Sequence, residues 1–101
     1  MRKSKRLVVI HSFKCKKTEA LYKRGAVNKK FVSFARAAER RLRYLEAATD
    51  LNDLYTPPSN RFEALHGDRE GQYSISINMK WRICFTWSEI GAENVEIVDY
   101  H

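Results

Sequence analysis

Gln72-Tyr73-Ser74-Ile75-Ser76-Ile77-Asn78-Met79-Lys80-Trp81-Arg82-Ile83-Cys84-Phe85-Thr86-Trp87 decides the fold class. Tyr73, Ile75 and Ile77 alternate with Ser74, Ser76 and Asn78. Trp81, Ile83, Phe85 and Trp87 alternate with Arg82, Cys84 and Thr86. Period-two alternation is the mark of a strand with one buried face, so two strands are expected here, joined by a tight connection at Asn78-Met79-Lys80. Tyr73, Trp81, Phe85 and Trp87 share the inward parity and read as core rather than as platforms for stacking bases. Downstream, Ser88 to Glu93 reads as a loop and Val95–Val98 as a last strand leading to Asp99-Tyr100-His101. Upstream, Phe62–Leu65 reads as a short strand, and His66–Gly71 as a polar loop carrying two glycines.

The earlier half has other periods. Leu7–Phe13 is rich in β-branched and aromatic residues and reads as a first strand. Thr18 is placed to cap a short helix holding Glu19, Ala20, Leu21 and Tyr22, which Gly25 would end. From Lys29 to Ala48 apolar residues fall at Phe31, Phe34, Ala35, Ala38, Leu42 and Leu45, the stripe of an amphipathic helix, with Arg36, Arg40 and Arg43 on the opposite side. Leu51 and Leu54 read as a packed turn, and Thr56-Pro57-Pro58-Ser59-Asn60 as an obligatory loop. The order is strand, two helices, then an antiparallel meander. Packing the helices on one face of that sheet gives a compact two-layer α+β domain.

At 101 residues, with 44% hydrophobic residues, the chain fits one domain and is too rich in core formers for disorder. No run approaches the ~20 apolar residues of a membrane span. The basic start, Met1-Arg2-Lys3-Ser4-Lys5-Arg6, precedes too few apolar residues for a signal peptide. Cys15 and Cys84 show no Cys-x-x-Cys spacing, so neither a disulfide framework nor a zinc site is expected, and the cytoplasm is the expected location. Charge is divided along the chain: residues 1–46 carry 15 Lys+Arg against 3 Asp+Glu, residues 47–101 carry 4 against 9. Such asymmetry suits a polyanion, with solvated helix faces as the plainer alternative.

His11, His66 and His101 are scattered, and no glycine-rich phosphate loop or Gly-x-Ser-x-Gly elbow is present. Neither a metal nor a cofactor is expected. A basic groove with ordinary side chains suffices for one reaction, cleavage of RNA by its own 2′-hydroxyl. That reaction needs a base for the hydroxyl, an acid for the departing 5′-oxygen and a cation for the phosphate. Asp99-Tyr100-His101 puts three titratable groups together; the alternative is a polar tail. His66, beside Asp68, Arg69 and Glu70, reads as a proton-transfer group or a plain loop histidine. Arg82 reads as a partner of Glu70 or Glu96, or as a phosphate clamp helped by Lys80.

Leu65-His66-Gly67-Asp68-Arg69-Glu70-Gly71, Trp81-Arg82-Ile83-Cys84-Phe85 and Asp99-Tyr100-His101, in that order and spacing, resemble HigB-type toxins of the RelE superfamily of bacterial toxin–antitoxin modules. The resemblance runs from about Val9 to His101, leaving residues 1–8 as a basic N-terminal extension to a single domain over 9–101. It implies a RelE-like fold and ribosome-dependent endonucleolytic cleavage of messenger RNA. It also implies a HigA-type helix-turn-helix antitoxin, and operator DNA bound through the toxin–antitoxin complex. Asp99, Tyr100, His101 and Arg82 match the family's catalytic positions. Where some members have a histidine ahead of the Gly-Asp-Arg motif this chain has Glu63, and where they have a lysine before that glycine it has His66. The base is thereby left open.

On this reading Arg82 steadies the phosphate with Arg69 or Lys80 helping, and His101 and His66 are the proton-transfer groups. Asp99 orients His101, and Tyr100 positions the scissile nucleotide. Arg36, Arg40 and Arg43 bind ribosomal RNA. A binding module that occupies RNA without cutting it, and a degenerate toxin that still binds its antitoxin, are the competing expectations.

Overall fold

The computed structural model describes residues 10–99. Expectations placed on residues 1–8, on Leu7–Val9 of the first strand, and on Tyr100 and His101 therefore lie outside the described residues.

Two helices, α1 (Lys16–Arg24) and α2 (Ala35–Ala47), precede a four-stranded antiparallel sheet in the order β1 (Glu63–Ala64), β2 (Tyr73–Ser76), β3 (Trp81–Ser88) and β4 (Gly91–Asp99). The core lies between the layers. Leu21, Phe31, Phe34, Ala38, Leu42 and Leu45 from the helical side meet Ile75, Ile77, Ile83, Phe85, Val95 and Ile97 from the sheet. Trp81 closes one end of it against Phe34 and Phe31, with ring centroids 5.0 and 6.0 Å away. The α+β two-layer arrangement and the inward parity of the four aromatics are therefore as the alternation requires.

Several expected boundaries move. The helix expected from Lys29 begins as a 3-10 turn over Lys29–Phe34, started by Asn28, whose side chain accepts from the Lys30 N–H at 2.9 Å. Only from Ala35 does it become α-helical. Thr18 does not cap α1. It lies inside the helix, fully buried, and its hydroxyl oxygen accepts the Ile97 N–H of β4 at 3.1 Å; Cys15 is the capping position. Gly25 does end the helix, at φ +65, a conformation a Cβ disfavours. The expected Ser88–Glu93 loop shrinks to Glu89-Ile90, because Ser88 pairs with Gly91 in a tight hairpin.

Among the described residues the first strand is reduced to one parallel bridge, Phe13 to Val95. The strand it meets, β4, is irregular there. Thr86 pairs with Glu93 while Cys84 pairs with Glu96, so β4 carries an extra residue there. Asn94 stands in that bulge at φ +55, donating its N–H to Ser12 Oγ and its side-chain amide to Thr86 Oγ1. The bulge turns the strand toward the N-terminal segment, which then bonds at His11, Ser12 and Lys14.

The polar face of the sheet is less open than alternation alone implies. Ser74, Ser76 and Cys84 are buried although they point away from the helices. Arg82 covers Ser74, to which its Nε donates at 2.8 Å, and Cys84 lies among the charged side chains of Arg69, Glu96, Arg82 and Glu63. Arg69, in the loop between β1 and β2, reaches across β3 to Glu96 of β4 at 3.2 Å, and bonds Gln72 at 2.9 Å. On the helical side, the Tyr22 hydroxyl donates to Glu46, joining α1 to α2. Burial, followed by the Glu46 carboxylate, pushes this phenol up to about 12.

Two outcomes follow from these contacts. Thr18→Val leaves the Ile97 N–H without its acceptor inside the core and should cost about 1–3 kcal/mol in a urea titration, with Thr18→Ser costing less. The two thiols should separate chemically. Burial pushes the Cys84 thiol up, and its sulfur is inaccessible. For Cys15, burial works upward but is outweighed by hydrogen bonds from Thr18 and Lys17 and by the Lys17 charge, leaving the thiol below its ordinary value. Iodoacetamide should therefore modify Cys15 in the folded protein and reach Cys84 only after denaturation, as peptide mapping will show.

Candidate RNA-binding and catalytic site

The turn between β2 and β3 is built by one side chain. Asn78 Oδ1 accepts the N–H groups of Lys80 and Trp81, each at 2.8 Å, and so folds the chain back on itself. The Ser76 hydroxyl donates to the Asn78 carbonyl at 2.9 Å. Opposite this turn stands the 3-10 turn Pro58–Asn60, anchored by the fully buried Asn60, whose amide donates to the carbonyls of Leu54 and Thr56. Arg61 follows at φ +46, an unusual conformation for a residue with a side chain. Between the two turns lies a cleft of about 270 Å³ lined by Ser59, Arg61, Ser76, Ile77, Asn78 and Met79.

Cations collect at this end of the sheet. Arg82, on β3, has a side chain only 13% exposed, and among the described residues its guanidinium is met from β1, β2 and the turn before β1. Nε donates to Ser74 Oγ at 2.8 Å, Nη2 donates to the Arg61 carbonyl at 2.7 Å, and Nη2 lies 3.3 Å from Glu63 Oε1. The partner is thus Glu63, not the Glu70 or Glu96 that the sequence offered. Lys80 is exposed in the turn, with Nζ 3.6 Å from Asp99 Oδ2. Arg41, which no local signal in the sequence singles out, comes from α2 to donate to the Ser76 carbonyl at 2.9 Å and to Ser59 Oγ. Arg61 is not singled out either. Its only sequence signal is its place after a proline loop, which says nothing of where its carbonyl points.

Arg82 and Asp99 meet differently from what a single flat face would give. Trp81 pairs with Asp99 and Arg82 with Val98. Since paired residues share a face, Asp99 leaves the sheet on the helix side, with Trp81, and Arg82 on the other. Both stand at the same end of the sheet, one register apart, and Lys80 bridges to Asp99 around that end.

The remaining expected residues are dispersed. His66 is exposed on the β1–β2 loop, with Nδ1 3.9 Å from Glu70 Oε1. Arg69 is taken up by Gln72 and Glu96, holding the loop down. Arg36, Arg40 and Arg43 are exposed on the side of α2 turned away from the sheet, although Arg43 folds back over the Tyr22 ring at 5.4 Å and toward Glu46. Among the described residues no His, Cys, Asp and Glu side chains gather in a group of three that could hold a metal ion, and no helix is long and apolar enough to cross a membrane.

The sequence that builds this two-layer domain is similar to those of known proteins. The model of the family described as RelE-like toxin of type II toxin-antitoxin system HigB matches residues 11–101. Toxin HigB-1 of Vibrio cholerae serotype O1 is 44% identical over 55 residues, which is 54% of this chain and 58% of that protein. Endoribonuclease HigB of Proteus vulgaris is 30% identical over 93 residues, 92% of this chain and 100% of its own length. A match running through both helices and all four strands, together with a relative aligned from end to end, places this chain in the RelE-like toxin family of HigB type II toxin–antitoxin systems.

Proposed function

We propose that this toxin is an endoribonuclease that cuts messenger RNA on the ribosome, without a metal or cofactor, and is held inactive by a HigA-type helix-turn-helix antitoxin. The observation that carries the reading is the convergence of Arg82, Arg61, Lys80 and Asp99 at one end of the sheet, with Tyr100 and His101 next in the chain. Support for the activity comes from membership of the toxin family and from the P. vulgaris relative, which is named an endoribonuclease.

In this mechanism the messenger's phosphate lies at the end of the sheet against Arg82, whose planar fork suits two phosphate oxygens. A base takes the 2′-hydroxyl proton, and the freed oxygen attacks the neighbouring phosphorus. The bond to the 5′-oxygen breaks, and an acid protonates it as it leaves. His101 serves as a proton-transfer group, oriented by Asp99, and Tyr100 holds the scissile nucleotide. His66 is the loop alternative. Lys80 adds positive charge where charge gathers on the phosphate. The outward side of α2, with Arg36, Arg40 and Arg43, takes the ribosomal RNA. The ribosome fixes the message in place, a contribution worth ~7–11 kcal/mol where alignment is complete. The antitoxin complex carries the toxin to operator DNA, and the site of action is the cytoplasm, where translation runs.

Removing His101, or changing Arg82→Ala, should lower cleavage at least about 100-fold in a reconstituted translation system, read as the loss of new 5′ ends on the message. Retained binding to the antitoxin in the same preparations shows that each variant is folded. Cleavage unchanged in both variants would overturn the assignment. A wild-type chain that binds ribosomes and yields no new ends would leave a binding module in place of the enzyme.

A further inference from the structure

We infer that Glu63 is the general base of the cleavage reaction, paired with Arg82 as one acid–base and phosphate-binding unit; this rests on the reading of the chain as an endoribonuclease.

The geometry is that of two groups with one substrate between them. Glu63 lies on β1 opposite Ser74 of β2, and Ser74 Oγ accepts from Arg82 Nε. The row fixes Glu63 beside the guanidinium, 3.3 Å from Nη2. Burial differs sharply between the partners: the Arg82 side chain is 13% exposed and that of Glu63 52%. The guanidinium is thus set into the sheet while the carboxylate stands over it at the surface. A phosphate that reaches Arg82 arrives alongside Glu63, with the 2′-hydroxyl of the preceding ribose on the carbon next to the one that bears the bridging 3′-oxygen. A carboxylate oxygen accepts that proton directly.

The proton balance is complete. The O2′–H bond breaks and its proton passes to Glu63. O2′ bonds to phosphorus as the P–O5′ bond breaks, leaving a 2′,3′-cyclic phosphate and, after protonation by the acid of the proposed mechanism, a 5′-hydroxyl end. Arg82 meets the charge that builds on the non-bridging oxygens.

His66 is placed less well for this duty. It follows Glu63 by three residues, stands on the exposed loop, and has Glu70 as its charged neighbour. The charged and titratable groups around Glu63 are Arg82 from β3 and, along the same face, Cys84, Arg69 and Glu96.

A purely structural role for Glu63 makes a different prediction. Glu63→Gln keeps an oxygen that can accept from Arg82 Nη2 but removes the basicity, and Glu63→His restores a base of another kind. Single-turnover cleavage by ribosome-bound protein, followed across pH 4.5–9, should fall at least about 100-fold for Glu63→Gln. For Glu63→His it should recover in part, with the acidic limb of the profile moved to higher pH, because imidazole sheds its proton later than a carboxylic acid. Antitoxin binding certifies the fold of both. Glu63→Gln within a few-fold of wild type, or Glu63→His with an unmoved acidic limb, would overturn the assignment of Glu63 while wild-type cleavage upholds the enzyme. An absence of cleavage by the wild type would overturn the enzyme reading itself.

Discussion

A guanidinium taken almost wholly out of water has to find acceptors for its N–H groups, because an unmatched buried charge costs several kcal/mol. Among the described residues, Arg82 finds acceptors on β1, β2 and the turn before β1. The short edge strand Glu63–Ala64 has only two paired residues, too few to hold it by ladder bonds alone. Its place depends on Glu63 reaching Arg82, and on Phe62 stacking with Tyr73 at 5.7 Å. The left-handed conformation of Arg61 belongs to the same arrangement, since its carbonyl is one of the acceptors. One charge therefore orders the end of the sheet on which the cleft, the Asn78 turn and Asp99 converge.

The acidic residues of the second half serve this arrangement more than they oppose it. Glu63 faces Arg82, Glu96 faces Arg69 and Lys14, and Asp99 faces Lys80. Each of these pairs ties two separate stretches of chain. The excess positive charge of the first half, by contrast, is borne largely on helix surfaces, where Arg36 and Arg40 are exposed. Among the described residues the positive charge of α2 and that at the end of the sheet thus differ in character. On α2 the charge is spread over solvated side chains, suited to a polyanion at low geometric precision. At the end of the sheet it is fixed by hydrogen bonds, suited to one phosphate in one orientation.

How far the sequence discloses this depends on the range of the interaction. The strands β2 and β3, the α2 stripe and the stop at Gly25 are set by neighbours two to four positions apart, and periodicity reveals them. Thr18 misleads because a hydroxyl at a helix start fits a cap locally. Its actual partner, the Ile97 N–H, is 79 positions away. The buried polar face misleads in the same way. Ser74 and Cys84 look solvent-facing by alternation, and only the long-range reach of Arg82 and Arg69 over that face shows them covered. Arg41 and Arg61 were missed because nothing local distinguishes them from other surface arginines.

Alternation also explains why the site cannot be a simple face of the sheet. Arg82 and Asp99 occupy adjacent rows of opposite parity, so neither face of the sheet carries both side chains. A substrate that meets both must bend over the end of the sheet rather than lie across it. A duplex is too stiff and too wide to do so, whereas a single RNA strand, with a freely turning backbone, can place one phosphate on Arg82 and the next nucleotide on the far side of the β2–β3 turn. The exposed Lys80, whose Nζ reaches Asp99 around that end, marks the path such a strand would take. Under the proposed function, the parity of Arg82 and Asp99 therefore favours an unpaired strand over a duplex.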